Sequence, residues 1–235
     1  MEPLFTSKHP VAVALDFDGT ITDVDVVDTA LVQFSKNNDW LKVEAEWAAG
    51  KISSDECMAR QLAGVELTAE ELESYLNSIN LDPGFKHLRS YLSEKGVPLV
   101  VLSDGYDLFI KGVFARYGIR NVPIRCNSMR HEGTSLIPSY PHKSASCGRC
   151  GHCKKATLDQ VREQVGHIIF AGDGMSDLCA LKSADTVFAK GKLAKYCEEK
   201  GFPHIPYRTL EDVTLAIPEI LDRVAAAAAG SKATL

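Results

Sequence analysis

The sequence predicts an α/β protein: a doubly wound, Rossmann-like parallel sheet with a helical bundle inserted after its first strand. Three observations carry this. Short, β-branched apolar runs recur along the chain: "VAVAL" at 11–15, "VPLVVLS" at 97–103, "HIIFAGD" at 167–173 and "TVFA" at 186–189. Such consecutive apolar positions suit strands buried on both faces. Segments of helical periodicity separate them, such as "GFKHLRSYLSEKG" at 84–96 and "KATLDQVREQVG" at 155–166, and strands alternating with helices indicate parallel pairing. Residues 24–81 break the alternation, with apolar residues at spacings of three and four and no convincing strand.

The first run ends on Asp16, with Asp18 two positions on and Gly19 next. In an Asp-x-Asp loop at a strand end, both carboxylates can point into one pocket. A carboxylate attacks a phosphoryl group directly when a cation suppresses the repulsion between the two anions. An acid must also protonate the leaving oxygen, and a base must then activate water. Asp16 as nucleophile and Asp18 as acid and base is a division of labour the spacing permits. Gly19 allows a close turn, where free amides could hold phosphate oxygens.

The inserted segment, 24–81, is expected to form its own helical unit, with 1–23 and 82–235 making the core. Within it "LTAEELESYL" carries a capping-box pattern, Thr68 at the N-cap and Glu71 three residues on. Asp25 and Asp28, on its first helix, are candidates for meeting a polar substrate group; solvated face positions are the alternative reading.

The second apolar run ends on Ser103, followed by Asp104 and Gly105; the serine offers a hydroxyl, and the residues after it their amides, to a phosphate. The third leads into "GDGMSD", where Asp173 and Asp177 stand four apart on a strand-to-helix turn. Ligands of such sheets sit outside the carboxyl ends of the strands, so the three segments converge on one crevice. Its oxygen-rich set suits Mg²⁺ better than zinc. A lysine is still needed to balance charge, and Lys154 or Lys155 lies at the start of a helix.

Seven cysteines, an odd number, do not read as a disulfide framework in a chain of this length. Cys57, Cys126, Cys179 and Cys197 read as small buried hydrophobes. Cys147, Cys150 and Cys153, in "CGRCGHCKK", have the spacing of half a zinc or iron–sulfur site. They are a candidate second metal site, a structural Zn²⁺, with His142, His152 or Cys126 as a fourth ligand; a locally packed, reduced loop is the other reading. The tail "VAAAAAGSKATL" reads as a fraying helix end and a flexible terminus.

The formal charge of −5 supplies no broad cationic footprint, which argues against nucleic acid as a partner. No apolar run reaches the roughly 18–20 residues that span a bilayer. "MEPLFTSKHP" has neither the basic start nor the apolar stretch of a signal peptide, so a cytoplasmic location is expected. Oligomeric state is not legible.

These motifs resemble those of the haloacid dehalogenase (HAD) superfamily: "DFDGTIT" its first motif, "VVLSDG" its second, a lysine its third and "GDGMSD" its fourth. The helical insertion is similar to the C1 cap of the phosphoserine phosphatase-like branch. The resemblance implies Asp16 as nucleophile and Mg²⁺ ligand, Asp18 as acid/base with its carbonyl on the metal, and Asp173 as a ligand with Asp177 close behind. It implies Ser103 and Lys154 as phosphate-holding groups, Lys154 being preferred to Lys155 because a cysteine directly precedes the lysine in related patterns. Asp18 resembles phosphatases and phosphotransferases rather than dehalogenases or transport ATPases. "SYPH…CGRCGHCK" looks like the methionine-salvage phosphatases acting on 2-hydroxy-3-keto-5-methylthiopentenyl 1-phosphate, and more distantly like phosphoethanolamine and phosphocholine phosphatases. Proline commonly follows the lysine in the salvage enzymes, whereas Lys155 does here. The expected function is a Mg²⁺-dependent phosphomonoesterase for a small phosphate ester. A phosphoserine, phosphoethanolamine or phosphocholine phosphatase, a phosphotransferase, and a non-catalytic phospho-ligand binder are the alternatives.

Overall fold

In the computed structural model, which describes residues 4–144 and 147–232, the strand at the centre of the sheet is β1 (Val11–Leu15), with all five residues buried. It pairs in parallel with β2 (Leu99–Tyr106) on one side and β5 (His167–Gly172) on the other. Beyond β2 lie β3 (Ile124–Glu132), parallel, and β4 (Ser135–Ser139), antiparallel to β3. Beyond β5 lie β6 (Thr186–Ala189) and β7 (Ile205–Pro206), both parallel. The order is β4-β3-β2-β1-β5-β6-β7. Leu15 is in register with Val101 and with Ala171, so the carboxyl ends of β1, β2 and β5 open onto one edge.

Alternate residues of β1 feed two cores, as the two-residue period of a strand requires. Val11, Val13 and Leu15 join the larger one, with α5 (Phe85–Glu94), α6 (Asp107–Arg116) and α9 (Leu210–Lys232). Ala12 and Ala14 join the smaller one, with α7 (Lys154–Arg162) and α8 (Gly191–Lys200). Small residues on this face leave room for Leu158 of α7 beside Phe170 of β5, each fully buried, at about 1.5–3 kcal/mol of transfer free energy per side chain. On α5, Phe85, Leu88 and Leu92 form the buried stripe, the spacing a helix needs to present one face.

Between β1 and α5 the chain makes four helices: α1 (Val26–Phe34), α2 (Asp39–Ala48), α3 (Ser54–Leu62) and α4 (Ala69–Ser78). The capping box on α4 forms as expected, Thr68 and Glu71 exchanging side-chain to backbone bonds. The strands of chain that enter and leave this segment run side by side: Thr22 bridges Leu81, and the Asp82 amide donates to Ile21 O at 2.7 Å.

Two features depart from expectation. The β3–β4 hairpin carries too many polar residues ("IRCNSMRHE") to register as a buried strand, because it lies at the sheet's edge. The alanine-rich tail continues α9 as far as Lys232 rather than fraying, consistent with alanine's high helix propensity; residues 233–235 lie outside the described residues. Among the described residues, no helix is long and apolar enough to cross a membrane.

Candidate active site

Asp16 follows β1 directly and is buried at 3% exposure. Its amide donates to Ala171 O, tying the loop to β5. The turn beyond is tight: Gly19 has φ +67°, and a Cβ there would stand 2.5 Å from Asp173 Oδ2. The amides of Gly19 and Thr20 are taken by Val24 O and Phe17 O. They are therefore not the free phosphate-facing amides that the sequence suggested; the local turn consumes them.

Asp18 turns toward β2. Its Oδ2 accepts from Ser103 Oγ at 3.0 Å and its Oδ1 from the Val26 amide at 3.0 Å. Ser103 Oγ in turn accepts from the Gly105 amide at 2.8 Å. The space is closed, since a Cβ on Gly105 would lie 2.7 Å from Asp18 Oδ2. Burial, then the negative charge of Asp25, pushes the Asp18 carboxyl up to about 8 in spite of these donors.

Asp173 follows β5, and Asp177 closes a short 3₁₀ turn over Met175–Asp177. Asp177, fully buried, accepts the amides of Asp173 and Gly174 on Oδ2, both at 3.0 Å. Its Oδ1 receives Lys154 Nζ at 2.5 Å, and the same ammonium reaches Asp16 Oδ1 at 2.6 Å. Lys154 begins α7 and is 1% exposed. Burial lowers a lysine's proton affinity, but here Asp16 and Asp177 outweigh it and hold the ammonium charged, well above its ordinary range. Lys155 faces outward and pairs with Asp159. Of the two lysines at this helix start, only Lys154 touches the acidic cluster.

Asp16, Asp173 and Asp177 each bring an oxygen to within 4.8 Å of the others. Three carboxylates cannot share a buried site comfortably. Burial and then the Asp177 charge push Asp16 well above the usual carboxylate range and Asp173 up to about 6. A hard cation with an all-oxygen shell fits this donor set, and it would relieve the repulsion that Lys154 offsets in part.

Asp104, expected at the phosphate, lines the same cleft as Asp16 and Asp18 and spends its carboxylate on neighbouring segments. Its Oδ2 accepts from Ser54 Oγ on α3 at 2.8 Å, and its Oδ1 from the His152 amide at 2.7 Å. Asn127 Nδ2 on β3 donates to its carbonyl at 2.6 Å. The carboxylate thus joins the inserted helices to the cysteine loop. The sequence offered no sign of Asn127 or Ser54, because neither belongs to a strand-end motif. Thr20, which donates to Asp173 Oδ1 at 3.4 Å, was adjacent to the first motif and could have been suspected.

A cleft of about 450 Å³ opens above these groups. Asp16, Asp18, Gly105 and Asp173 lie at its base, and the inserted helices supply Asp25, Asp28, Glu44, Trp47 and Met58 to its walls. Asp25 also caps α1, accepting the Asp28 amide at 2.9 Å. Burial, with Asp25 and Glu44 nearby, pushes Asp28 up to about 7.

The thiols of Cys147 and Cys150 lie 3.5 Å apart. His152 is not available as a further ligand. Its Nδ1 pairs with Ser103 O and its Nε2 with Thr157 Oγ1, and burial pushes it down to about 3. Cys126 packs in the main core. Cys179, read from the sequence as a small buried hydrophobe, is half-buried, and its thiol donates to Ser176 O at 3.8 Å.

A family model described as Putative Phosphatase matches residues 11–196. Two curated relatives are the 2-hydroxy-3-keto-5-methylthiopentenyl-1-phosphate phosphatases of Brevibacillus brevis and Geobacillus kaustophilus. The first is 30% identical over 217 residues, covering 89% of this chain and 96% of its own. The second is 31% identical over 206 residues, covering 86% and 93%. Among solved structures, a HAD-family hydrolase from Salmonella enterica matches with a TM-score of 0.69 at 22% identity, over 88% of this chain and 70% of that one. A phosphoserine phosphatase with a phospho-aspartyl intermediate analogue matches with a TM-score of 0.66 at 17% identity, over 87% and 97%.

Proposed function

The chain belongs to the putative phosphatase family, within the HAD superfamily, and from that premise we propose that it is a Mg²⁺-dependent phosphomonoesterase for a small, soluble phosphate ester, acting in the cytoplasm. Asp16 is the nucleophile. Asp16, Asp173 and the carbonyl of Asp18 would hold the cation, with Asp177 behind them. When bound, the cation screens the phosphate's charge from the carboxylates.

The observation that carries the reading is geometric: the carboxylates of Asp16, Asp173 and Asp177 converge at the strand ends, with Lys154 on Asp16 at 2.6 Å, and Asp18 stands beside them bonded to Ser103 Oγ at 3.0 Å. A carboxyl raised by burial, as that of Asp18 is, suits a general acid. As Asp16 attacks phosphorus, the leaving oxygen takes the Asp18 proton and an aspartyl phosphate forms on Asp16. The Asp18 carboxylate then removes a proton from water, whose oxygen attacks the same phosphorus and frees Asp16. Both groups return to their starting states. Lys154, and the hydroxyl of Ser103, hold phosphoryl oxygens during transfer. Helices α1 to α4, with the rest of 24–81, act as a cap that shields the cleft from bulk water and selects the leaving group.

The 2-hydroxy-3-keto-5-methylthiopentenyl 1-phosphate named for the two bacterial relatives is the leading substrate. A second reading has a specific observation behind it. Asp25, Asp28 and Glu44 beside Trp47 form an acidic, aromatic wall, which suits a cationic leaving group such as ethanolamine or choline. Phosphate release from these esters and phosphoserine, with Mg²⁺ and with Asp16→Asn alongside, tests the proposal. Turnover abolished by Asp16→Asn supports it, and turnover that survives the substitution overturns it. Added alcohol captured as a new phosphate ester would identify a phosphotransferase instead.

A further inference from the structure

We propose that His152 is a positioning residue for the phosphate-holding groups, a buried brace that sets the end of β2 against the start of α7. The proposal rests on the reading of Ser103 and Lys154 as groups that hold phosphoryl oxygens. His152 lies just before Lys154 in the chain and is 1% exposed. It grips two consecutive residues of β2 at once. Its backbone amide donates to Asp104 Oδ1 at 2.7 Å, and its ring Nδ1 meets Ser103 O at 3.1 Å. On the other side, ring Nε2 lies 2.9 Å from Thr157 Oγ1 of α7.

The partners decide which ring nitrogen carries the proton. A carbonyl oxygen only accepts, so Nδ1–H donates to Ser103 O. Nε2 then accepts from the Thr157 hydroxyl. Burial lowers the proton affinity of the imidazole, and one neutral tautomer satisfies both nitrogens. The backbone beside the ring is equally constrained. A Cβ on Gly151 would stand 2.9 Å from Asp104 Oδ1 and 3.0 Å from Asn127 Nδ2, so this loop lies flush against the end of β2.

A trans peptide is planar, so fixing the direction of the Ser103 carbonyl also fixes the Asp104 N–H on the opposite side of the same unit. That amide and the Ser103 hydroxyl are the donors expected to meet the phosphate from β2. Ser103 Oγ also donates to Asp18 Oδ2 at 3.0 Å, so the proposed acid is seated on the same strand end. Lys154, from α7, is held on Asp16 at 2.6 Å. His152 thereby fixes the separation of phosphate-holding groups drawn from two elements, while touching no reacting atom itself. An imidazole that only filled the core would be replaced equally well by either amide side chain.

That difference is the test. Asparagine carries its amide nitrogen near the place of Nδ1 and can still donate to Ser103 O. Glutamine reaches the place of Nε2, and keeps Thr157 while losing Ser103. The probes, on the full chain with Mg²⁺, are inorganic phosphate titrated calorimetrically and phosphate release from whichever ester named above is turned over fastest. His152→Gln should weaken phosphate binding by about 3–10-fold, the scale of one hydrogen bond. It should lower kcat by roughly 10–100-fold, as for a displacement approaching 1 Å at reacting groups. His152→Asn should recover most of both, with melting temperatures alike in the two variants. Equal losses in the two variants, or unchanged affinity and kcat in His152→Gln, overturn the brace. If wild type releases no more phosphate than Asp16→Asn, the phosphomonoesterase reading fails by itself, and the phosphate affinities still decide the brace. Wild type that binds no phosphate overturns both. Should either variant fail to fold, nitrogen NMR of the His152 ring in the unaltered protein decides: a proton on Nδ1 supports the brace, and an unprotonated Nδ1 overturns it.

Discussion

Lys154 Nζ lies 2.6 Å from Asp16 Oδ1, with both side chains buried to within 5% exposure. The same ammonium holds Asp177, so one cation stands between the proposed nucleophile and the carboxylate behind it. Removing one member of a buried ion pair leaves the others uncompensated, at about 3–5 kcal/mol. Lys154→Met should therefore destabilise the metal-free protein by about that amount in urea denaturation and abolish phosphate release. The stability loss should be larger at alkaline than at acidic pH, because the stranded carboxylates can take up protons when it is acidic. Lys155→Ala, at the exposed Lys155–Asp159 pair, should leave both measurements unchanged.

The raised carboxyl of Asp18 has a definite sign in stability. Its folded value is about 8 against an ordinary 3.8, so between these the folded state binds more protons than the unfolded one. Stability from this group is then fully present below about pH 4 and is lost as pH rises toward 8. His152, pushed down to about 3, works in the opposite direction below its ordinary value of 6.5. The comparison should therefore be differential. Metal-free wild type should lose melting temperature faster than Asp18→Asn from pH 6.5 to 8, and scanning calorimetry in chelator should show the gap close when Mg²⁺ is added.

Gly105 tests the geometry of the same acid. Its backbone is not in the left-handed region, but a Cβ would meet Asp18 Oδ2 at 2.7 Å and Ser103 Oγ at 3.0 Å. Gly105→Ala must push the carboxyl or the serine aside. A displacement of about 1 Å at reacting groups costs on the order of 100-fold, so kcat should fall by about that factor, with a much smaller change in KM. Steady-state kinetics with the preferred ester separates the two parameters.

How much of this could be read from the sequence depended on where the information lay. β1, β5 and β6 declared themselves through apolar runs, and Asp16, Asp18, Ser103, Asp173 and Asp177 through their positions at the ends of such runs. Those signals are local. The use of the Asp104 carboxylate was not, because its partners Ser54 and His152 come from 50 residues before and 48 residues after it. The amides of Gly19 and Thr20 failed differently, since a tight turn that frees a side chain also consumes its own donors.

The Asp104 junction predicts a separation of binding from chemistry. Ser54→Ala removes the α3 end of the junction and leaves the strand-end groups in place. It should raise KM by roughly 3–10-fold with kcat within about twofold, about 0.7–1.4 kcal/mol, the net scale of one ordinary hydrogen bond. Asp104→Ala strips an acceptor from the His152 amide as well, and should cost about 1–3 kcal/mol of stability in the same denaturation assay.

The cleft wall decides between the two substrate readings. Asp28 is pushed up to about 7 by burial and by the charges of Asp25 and Glu44, so its ionised form is held there against repulsion. A cationic leaving group would supply the missing charge, and Asp28→Asn would then lower kcat/KM by about 10-fold or more, the scale of one charged hydrogen bond. A methylthiopentenyl leaving group carries no charge for Asp28 to meet. Its turnover should change by less than about twofold, or improve as the repulsion with Asp25 and Glu44 is relieved. Parallel assays of Asp28→Asn on phosphoethanolamine and on the methylthiopentenyl ester give the answer as a ratio. A fall confined to phosphoethanolamine would show Asp28 meeting an ammonium in the cleft, and equal responses on both esters would remove the acidic wall from the account of specificity.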